Sequence, residues 1–304
     1  MNIIETEGLT RRFGKAQAVN GLTFHVPEGA IYAFLGPNGA GKTTTILTLL
    51  NILHPTSGVA RVLGCETTRF GPAQLAQIGY VSENQQLPES MTVARFLAWC
   101  KPMYPTWDDT FCAELLHRFD LPLDRKLKNL SRGMKMKAAL LASIAYRPKL
   151  LILDEPFSGL DPLMRDEFIR GVLELSDKEK WTVFVSSHDI DEVERLSDWV
   201  GILNMGKLYL SESSEALQRR FRRVEFAVTQ ENQKLPPSLP REWMVAEVAG
   251  HSVRFVTGAH VAGETEAQIA SLFPGATHIT VTPMPLREIF LALARTFRIT
   301  PTST

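Results

Sequence analysis

The sequence predicts an α/β fold with a parallel sheet, followed by a small C-terminal α+β domain. Residues 30–35 (AIYAFL) form a short apolar run with a single hydroxyl, which is typical of a buried parallel strand. The glycine-rich segment 36–43 (GPNGAGKT) follows directly, and residues 44–53 carry enough apolar side chains for a helix. Two later apolar runs, 150–153 (LLIL) and 182–186 (TVFVS), are also typical of buried strands.

The glycine-rich segment has the spacing GxxxxGK[ST] between a strand and a helix, which predicts the phosphate-binding loop of a nucleoside triphosphatase. Glycines allow the backbone to close around a phosphate, and the N–H groups of the loop and helix N-terminus present positive potential to it. We expect Lys42 to reach the β- and γ-phosphates and the Thr43 hydroxyl to ligate Mg²⁺. A plain glycine-rich turn is the alternative, because the four fixed positions occur by chance in roughly one chain in a hundred of this size.

The composition argues against several classes of protein. A length of 304 residues predicts about two domains. Lysine plus arginine and aspartate plus glutamate both total 33, so the chain lacks the basic excess of a dedicated nucleic-acid binder and we expect no nucleic-acid partner. Cys65, Cys100 and Cys112 form no CxxC pair, which argues against a disulfide framework or a zinc site and favours a reducing cytosol. Neither a signal peptide nor a membrane-spanning apolar stretch is expected, so we expect a chain that is soluble by itself.

The segment before the glycine-rich loop predicts two short strands, 3–9 and 22–26, around a turn that contains Phe13. Two further short strands are predicted at 58–65 and 78–82. Phe13 has two interpretations, as a core aromatic or as a ring that stacks on an adenine base. The residues alone favour the core.

Residues 92–101 and 107–119 carry apolar side chains at helical spacing and predict a small helical insert in the α/β domain. The insert contains five large apolar side chains: Phe96, Trp99, Met103, Tyr104 and Trp107. They form either the core of the insert or a surface groove for a partner helix, and the core is the favoured interpretation.

Polar residues follow two of the predicted buried strands. Asp154 and Glu155 follow the LLIL run, and His188 follows the TVFVS run. Open α/β sheets bind ligands at the carboxyl ends of their strands, so after a phosphate loop we expect one acid to hold Mg²⁺ and the other to address the attacking water. A coincidental charged strand end and a surface histidine are the alternatives. The SGLDP sequence at 158–162, shortly after Glu155, argues against a coincidental strand end. The position of His188 at the same predicted sheet edge argues against an ordinary surface histidine.

Two further helices have N-capping residues. Ser131, within LSRGM at 130–134, precedes a predicted helix over 135–146, and Asp161 caps a helix over 162–176.

Beyond about residue 213 the pattern predicts a small α+β domain without a recognisable catalytic cluster. Its predicted strands are 222–229, 253–257 and 278–282, and its predicted helices are 264–273 and 286–297. The basic run 218–223 (QRRFRR) is either a solvated face, which we favour, or a contact with an anionic membrane surface.

Five motifs, in their order, resemble those of ATP-binding cassette (ABC) ATPases, the nucleotide-binding subunits of ABC transporters. They are the phosphate loop at 36–43, LSRGM at 130–134, the Asp154 and Glu155 strand end, SGLD at 158–161 and His188. The resemblance implies a phosphate-loop NTPase of the ABC type over residues 1–215, with a RecA-like core, an antiparallel β part and a helical subdomain at about 88–145. Residues 216–304 would form an accessory domain, and their ending PMPLREIFLALAR is similar to that of single-cassette subunits of exporter-type systems.

The resemblance also implies the binding site for ATP and Mg²⁺. Phe13 would stack on the adenine. The residues that would hold the phosphates are Gly36, Asn38, Gly39, Ala40, Gly41, Lys42, Thr43 and Thr44. The catalytic residues would be Lys42, Glu155 and His188. Glu155 would polarise the attacking water, and His188 would contact the γ-phosphate. The metal ligands would be Thr43, Glu83 and Asp154.

In the same family pattern, Ser131 and Gly133 act on ATP held by a second cassette. The active unit would therefore be a head-to-tail dimer, in which Asp161 helps to join the two sites. Both half-sites are complete on this chain, which makes a homodimer the simpler expectation and leaves a heterodimer open.

Two parts of the chain depart from the usual family pattern. The usual signature is LSGGQ, and here Arg132 and Met134 replace a glycine and the glutamine. Glu83 replaces the glutamine that usually follows the strand at 78–82; it can ligate Mg²⁺ but brings negative charge close to the γ-phosphate. Gln85 and Gln86 would substitute if the loop is shifted by two residues.

The function implied by the resemblance is that of an ATP-hydrolysing subunit that powers a membrane ABC transporter, in the exporter direction. Its permease subunits would be separate transmembrane chains, and it would lie peripherally on the cytoplasmic face of the cell membrane. The alternative is a soluble ABC-type switch on a ribosomal, repair or regulatory complex, although such proteins usually carry two cassettes or long coiled arms. A phosphate-loop kinase is the third hypothesis. It would require neither LSRGM nor SGLD, so the presence of both motifs gives it no support.

Overall fold

The computed structural model describes residues 1–192, 194–231 and 233–299, with side chains as far as residue 296. The chain divides into two compact units, Met1–Ser211 and Glu212–Thr304. The first ten strands are β1 (Asn2–Phe13), β2 (Ala16–Pro27), β3 (Ile31–Leu35), β4 (Ser57–Val62), β5 (Cys65–Glu66), β6 (Ile78–Ser82), β7 (Leu150–Asp154), β8 (Thr182–Ser187), β9 (Trp199–Asn204) and β10 (Lys207–Ser213). The helices among them are α1 (Lys42–Leu49), α2 (Pro72–Leu75), α3 (Val93–Cys100), α4 (Asp109–Arg118), α5 (Arg132–Ile144) and α6 (Pro162–Glu179). The remaining elements are α7 (Ser214–Arg220), β11 (Arg222–Ala227), β12 (Trp243–Ala249), β13 (Ser252–Thr257), α8 (Glu264–Leu272), β14 (Thr277–Pro283) and α9 (Leu286–Ile299).

The central sheet of the first unit has six strands in the order β10-β9-β3-β8-β7-β6. The strands from β9 to β6 run parallel, and β3, β7 and β8 are buried along their whole length, which confirms the predicted α/β fold. The register places Ser82, Asp154 and Ser186 side by side. The carboxyl ends of these strands therefore meet at one edge of the sheet.

A second sheet, in the order β2-β1-β4-β5, forms the antiparallel part of this unit. Both β1 and β2 have 12 residues and are longer than predicted. The parts that were not predicted include polar residues such as Arg11 and Arg12, which pair with β2 but give no apolar periodicity. The rings of Phe24, Phe34 and Phe184 pack at centroid distances from 5.2 to 6.2 Å and join this sheet to the central one. The predicted antiparallel part is thereby confirmed.

The two predicted helices of the insert, 92–101 and 107–119, are confirmed as α3 and α4, and the helix predicted after Ser131 is confirmed as α5. Each begins after a capping residue (Thr92, Asp108 and Ser131 respectively) whose side chain accepts a hydrogen bond from a backbone N–H of the first turn. Because Ser131 caps the helix, α5 begins at Arg132, earlier than predicted. Asp161 caps α6 in the same manner, with proline at its first position.

The second unit contains an antiparallel sheet in the order β12-β13-β11-β14, together with α7, α8 and α9. The rings of Phe226, Phe255 and Phe273 are among its buried core. The predicted strands and helices of this unit are confirmed, but α7 and β12 are not predicted by the sequence. The pairing of β12 with β13 shifts between Met244 and Glu247, so its side chains do not alternate regularly.

The basic run 218–223 lies at the end of α7 and the start of β11. Three of its arginines form ion pairs, which are Arg219–Glu215, Arg220–Glu212 and Arg223–Glu288. These pairs favour a solvated face over an uncompensated basic patch. Across the described ranges, no helix combines the length and the apolar character needed to cross a bilayer.

Candidate active site

The glycine-rich loop connects β3 to α1 and depends on glycine at several positions. Gly39 and Gly41 have φ angles of +79° and +106°, in the left-handed region that favours glycine. A Cβ atom at Gly36 would lie 2.2 Å from the carbonyl oxygen of Leu203, and one at Gly41 would lie 2.3 Å from that of Ala18. The backbone of the loop therefore packs against neighbouring backbone with no room for a side chain at either position.

Beside this loop is a cavity of about 340 Å³ at the carboxyl edge of the central sheet. It is lined by Ala18, Asn38, Gly39, Gly41, Lys42, Thr43, Thr44, Ser82, Glu83, Asn84, Asp154 and Glu155. The structure thus brings together most of the predicted phosphate-binding, catalytic and metal-binding residues. Gly36 and Ala40 lie in the same loop without lining the cavity.

The three predicted catalytic side chains form one chain of contacts. Lys42 Nζ lies 3.0 Å from Glu155 Oε1, and His188 Nδ1 lies 2.7 Å from Glu155 Oε2. Lys42 is only 5% exposed and also donates to the Gly36 carbonyl oxygen at 2.6 Å. The carboxylate of Glu155 is therefore held between a buried ammonium group and an imidazole at the edge of the cavity.

Glu155 has an uncommon backbone conformation, with φ of +52°. Its N–H donates to Ser186 Oγ at 3.0 Å. Strained residues of this kind cluster at functional sites, where the surrounding structure holds them.

Asp154 is buried and lies among hydroxyl groups. Ser186 Oγ donates to Asp154 Oδ1 at 2.7 Å, and Thr43 Oγ1 donates to the same oxygen at 3.2 Å. Burial raises the pKa of the Asp154 carboxyl above its ordinary value, and these two hydrogen bonds oppose that shift.

The Thr43 hydroxyl and the Asp154 carboxylate supply oxygen atoms that fit a Mg²⁺ ion bound together with a nucleotide. Among the described residues, no group of three or more histidine, cysteine, aspartate or glutamate side chains is arranged to hold a metal by itself. Mg²⁺ usually takes one or two carboxylates and completes its shell with water and substrate phosphates. Thr43 and Asp154, which share a hydrogen bond beside the phosphate loop, match that requirement.

Glu83 begins the loop after β6. Its N–H donates to the Asp154 carbonyl oxygen at 3.0 Å, and its Oε1 accepts hydrogen bonds from Ser158 and Arg132. Gln85 and Gln86 line a different groove, so the structure gives no support to the shifted-loop alternative.

Phe13 is 46% exposed and lies at the end of β1, where the guanidinium group of Arg11 is 4.6 Å from its ring centroid. Its interpretation as a core residue is therefore wrong. The ring does not line the cavity.

The remaining predicted residues lie outside the cavity. Ser131 and Asp161 cap α5 and α6, and Gly133 packs so closely on α6 that a Cβ atom would lie 2.5 Å from Met164 Cε. The structure does not bring these three residues to the cavity of their own subunit.

Two side chains of the site were missed by the sequence analysis. Ser186 joins Asp154 to the backbone of Glu155, and only the strand order places it there. Glu192 is 3% exposed, accepts a hydrogen bond from Ser187 and lies 3.4 Å from Arg165, which ties the segment after His188 to α6. Burial raises the pKa of Glu192. A glutamate in a polar segment carries no signal of burial.

An apolar groove of about 720 Å³ lies on another part of the first unit. Among its lining residues are Trp99 and Met103, which are 52% and 54% exposed, whereas Phe96 is buried. The large side chains of the helical insert therefore divide between a core and a surface groove. That the groove receives a partner helix stays a prediction.

Comparisons with known proteins agree with this architecture. The sequence profile of the family described as ABC transporter matches residues 19–158. The bacitracin transport ATP-binding protein BcrA of Enterococcus faecalis is 32% identical over 230 residues, which are 75% of this chain and 75% of that protein. The lantibiotic transport ATP-binding protein SrtF of Streptococcus pyogenes is 33% identical over 72% of this chain and 96% of its own length. A solved ATP-binding subunit of an ABC transporter has a TM-score of 0.65 and 27% identity, and the match covers 71% of this chain and 92% of that chain.

Proposed function

We propose a mechanism from the premise that this chain belongs to the ABC transporter family of ATP-binding proteins. As a member it is an ATPase subunit of a membrane transporter. The relatives are named for transport, which favours this function over a soluble switch on another complex. The residue roles, the dimer, the metal and the permease contact described below are our proposals.

The phosphate loop binds the triphosphate of ATP. Its backbone N–H groups and the N-terminus of α1 supply positive potential, and the buried Lys42 supplies a full charge. Phe13, exposed and outside the core, is available to stack on the adenine.

Hydrolysis is assigned to Glu155 and His188. Lys42 is shared between Glu155 and the loop carbonyls, so a bound γ-phosphate competes with the carboxylate for the ammonium group. Glu155 is then free to accept a proton from the water that attacks the γ-phosphorus, and the bond to ADP breaks. His188, held by Glu155 at 2.7 Å, is placed to donate a hydrogen bond to the phosphate.

Thr43, Asp154 and Glu83 are the residues that would hold Mg²⁺. The ion would neutralise charge on the phosphate oxygens during transfer. Asp154 must be ionised for this role, and the hydrogen bonds from Ser186 and Thr43 favour its ionised form.

ATP also closes a head-to-tail dimer of two copies. Ser131 and Gly133 lie at the N-terminus of α5, away from the cavity of their own subunit, where backbone N–H groups are oriented for a γ-phosphate held by the partner. Asp161, at the N-terminus of α6, would help to join the two sites.

The apolar groove is proposed to receive a helix of a separate membrane subunit. Trp99 and Met103 expose large apolar side chains there, and Gln85 and Gln86, two and three residues beyond Glu83, line the same groove. A helix seated in it would be in contact with the loop that carries Glu83. We therefore propose that the chain lies on the cytoplasmic face of the cell membrane and, from the antibiotic transport named in its relatives, that the direction is export.

The observation that carries this proposal is the contact chain of Lys42, Glu155 and His188 beside the phosphate loop. Glu155→Gln is expected to abolish ATP turnover, because an amide does not accept the proton, while ATP binding is retained. With turnover blocked, ATP is expected to shift the purified protein from monomer to dimer, as measured by light scattering after size exclusion. Glu225→Gln is a matched control, because Glu225 pairs with Arg254 in the second unit. Normal turnover in Glu155→Gln would refute the assignment of Glu155 as the group that accepts the proton. A protein that stays monomeric with ATP bound would refute the proposed dimer.

A further inference from the structure

An ion pair joins the two parts of the chain that depart from the usual family pattern. Arg132, at the first position of α5, donates from Nη2 to Glu83 Oε1 at 2.7 Å. Ser158 Oγ donates to the same oxygen at 2.7 Å. Because Glu83 lines the cavity, the pair connects α5 to the nucleotide site of its own subunit.

Both members of the pair are anchored by further contacts. The guanidinium group of Arg132 lies against Gly159, where a Cβ atom would be only 2.4 Å from Nη1. The N–H of Glu83 donates to the Asp154 carbonyl oxygen at 3.0 Å. The pair therefore joins three segments: the loop after β6, the start of α5 and the turn after β7.

The charge balance of the cavity makes this pair important for nucleotide binding. Glu83, Asp154 and Glu155 bring three carboxylates to the cavity, and Lys42 is the one cation among the described residues that line it. ATP carries a γ-phosphate that ADP lacks. An uncompensated Glu83 would repel that phosphate, so it would weaken the binding of ATP more than the binding of ADP.

We propose that Arg132 is a positioning residue that neutralises Glu83 and holds its carboxylate toward Ser158, so that the cavity favours ATP over ADP. This inference rests on the proposed nucleotide site. Arg132 lies between Ser131 and Gly133, the residues assigned to the ATP of the partner subunit. One side chain thereby ties the nucleotide of its own subunit to the segment that contacts the nucleotide of the other.

The test measures ATP and ADP affinities separately, through displacement of a fluorescent ADP analogue in the presence of Mg²⁺. In Arg132→Gln, the affinity for ATP is expected to fall about fivefold, as for loss of a well-formed exposed ion pair, with a change of less than about twofold for ADP. Glu83→Gln removes the charge that Arg132 balances and keeps a side-chain oxygen that can ligate Mg²⁺. The double variant is therefore expected to recover ATP affinity to within about twofold of the unmutated protein, which a merely structural role of Arg132 would not produce. Arg132→Lys keeps the charge and is expected to retain most of the ATP preference.

Lys137→Gln is the matched control, because Lys137 lies on the same helix and pairs with Glu167 at 2.9 Å without lining the cavity. It is expected to leave the ratio of ATP to ADP affinity unchanged. Equal losses for ATP and ADP in Arg132→Gln, or a double variant no better than Arg132→Gln, overturn the inference. If the unmutated protein discriminates between the nucleotides and Arg132→Gln does so equally well, this inference alone fails. If the unmutated protein binds neither nucleotide, the proposed function fails with it.

Discussion

Ser186→Ala tests how the buried carboxylate at the centre of the site is held. Ser186 is fully buried, donates to Asp154 Oδ1 at 2.7 Å and accepts the Glu155 N–H at 3.0 Å. The alanine variant removes both hydrogen bonds and leaves Asp154, which is 3% exposed, with the longer bond from Thr43. Among the described residues, Ser186 is the one whose side-chain hydroxyl contacts both acidic residues.

The size of the effect follows from the charge of the acceptor. A hydrogen bond to an ionised group contributes about 1.5–3 kcal/mol, and an unpaired backbone N–H costs a further amount of similar order. We expect Ser186→Ala to lower the free energy of unfolding by about 3 kcal/mol at neutral pH. Ser143→Ala is the matched control, because Ser143 is 8% exposed and donates at 2.9 Å to the neutral carbonyl oxygen of Tyr80. Its expected cost is about 1 kcal/mol.

The pH dependence gives the sharper signature. The pKa of Asp154 in the folded protein is raised above 3.8, chiefly by burial, and loss of the Ser186 bond raises it further. Below the folded-state pKa the carboxyl is neutral in the folded protein, and the charge that Ser186 supported is gone. The unfolded state is common to both proteins, so the stability deficit of Ser186→Ala is expected to be largest at neutral pH and to shrink as the pH falls through the further raised pKa of the variant to the raised pKa of the unmutated protein.

Urea denaturation without nucleotide, followed by tryptophan fluorescence at several pH values, measures both effects. Trp181, buried in the first unit, reports on the unit that contains the site. Equal losses in the two serine variants, or a deficit in Ser186→Ala that is constant with pH, would refute the view that this hydroxyl supports an ionised Asp154.

Two further predictions concern the phosphate loop and the apolar groove. Gly36→Ala is expected to weaken nucleotide binding about 5- to 150-fold, as for a clash of 1–3 kcal/mol, because the new Cβ would lie 2.2 Å from the Leu203 carbonyl oxygen. Gly71→Ala, where a Cβ is 3.6 Å from its nearest neighbour, is the control in the same displacement assay, and equal affinities would contradict the prediction. Trp99→Arg is expected to prevent co-purification with the membrane subunit and to leave ATP binding by the isolated chain unchanged, because Trp99 lines the groove and not the cavity. Val261→Arg, at a 50% exposed position in the second unit, is its control, and an undiminished pull-down by Trp99→Arg would remove the groove from the permease contact.

Local signals were sufficient for most elements of the fold. Buried strands such as β3 and β7 have continuous apolar runs, and α5 and α6 have capping residues directly before them. The elements that were missed lack such signals. In β12 a shift in pairing breaks the alternation of side chains, and α7 contains the first part of the basic run.

The sequence also located most of the residues that line the cavity, because phosphate loops and strand-end carboxylates are contiguous motifs. It was wrong about the core position of Phe13, since burial of a single aromatic residue depends on what packs over it. It did not predict that Arg132 would contact Glu83, because 49 residues separate them and only folding brings them together.

By itself, the sequence determined the order of strands and helices along the chain, the phosphate loop and the family. It did so because backbone geometry and apolar burial are dictated by residues close together in the chain. Only the tertiary structure decided which side chains hold Asp154 and Glu155, where Gln85 and Gln86 point, and that two unusual residues form an ion pair. Those contacts depend on strand order, register and the packing of α5 against distant loops, which a linear pattern does not contain.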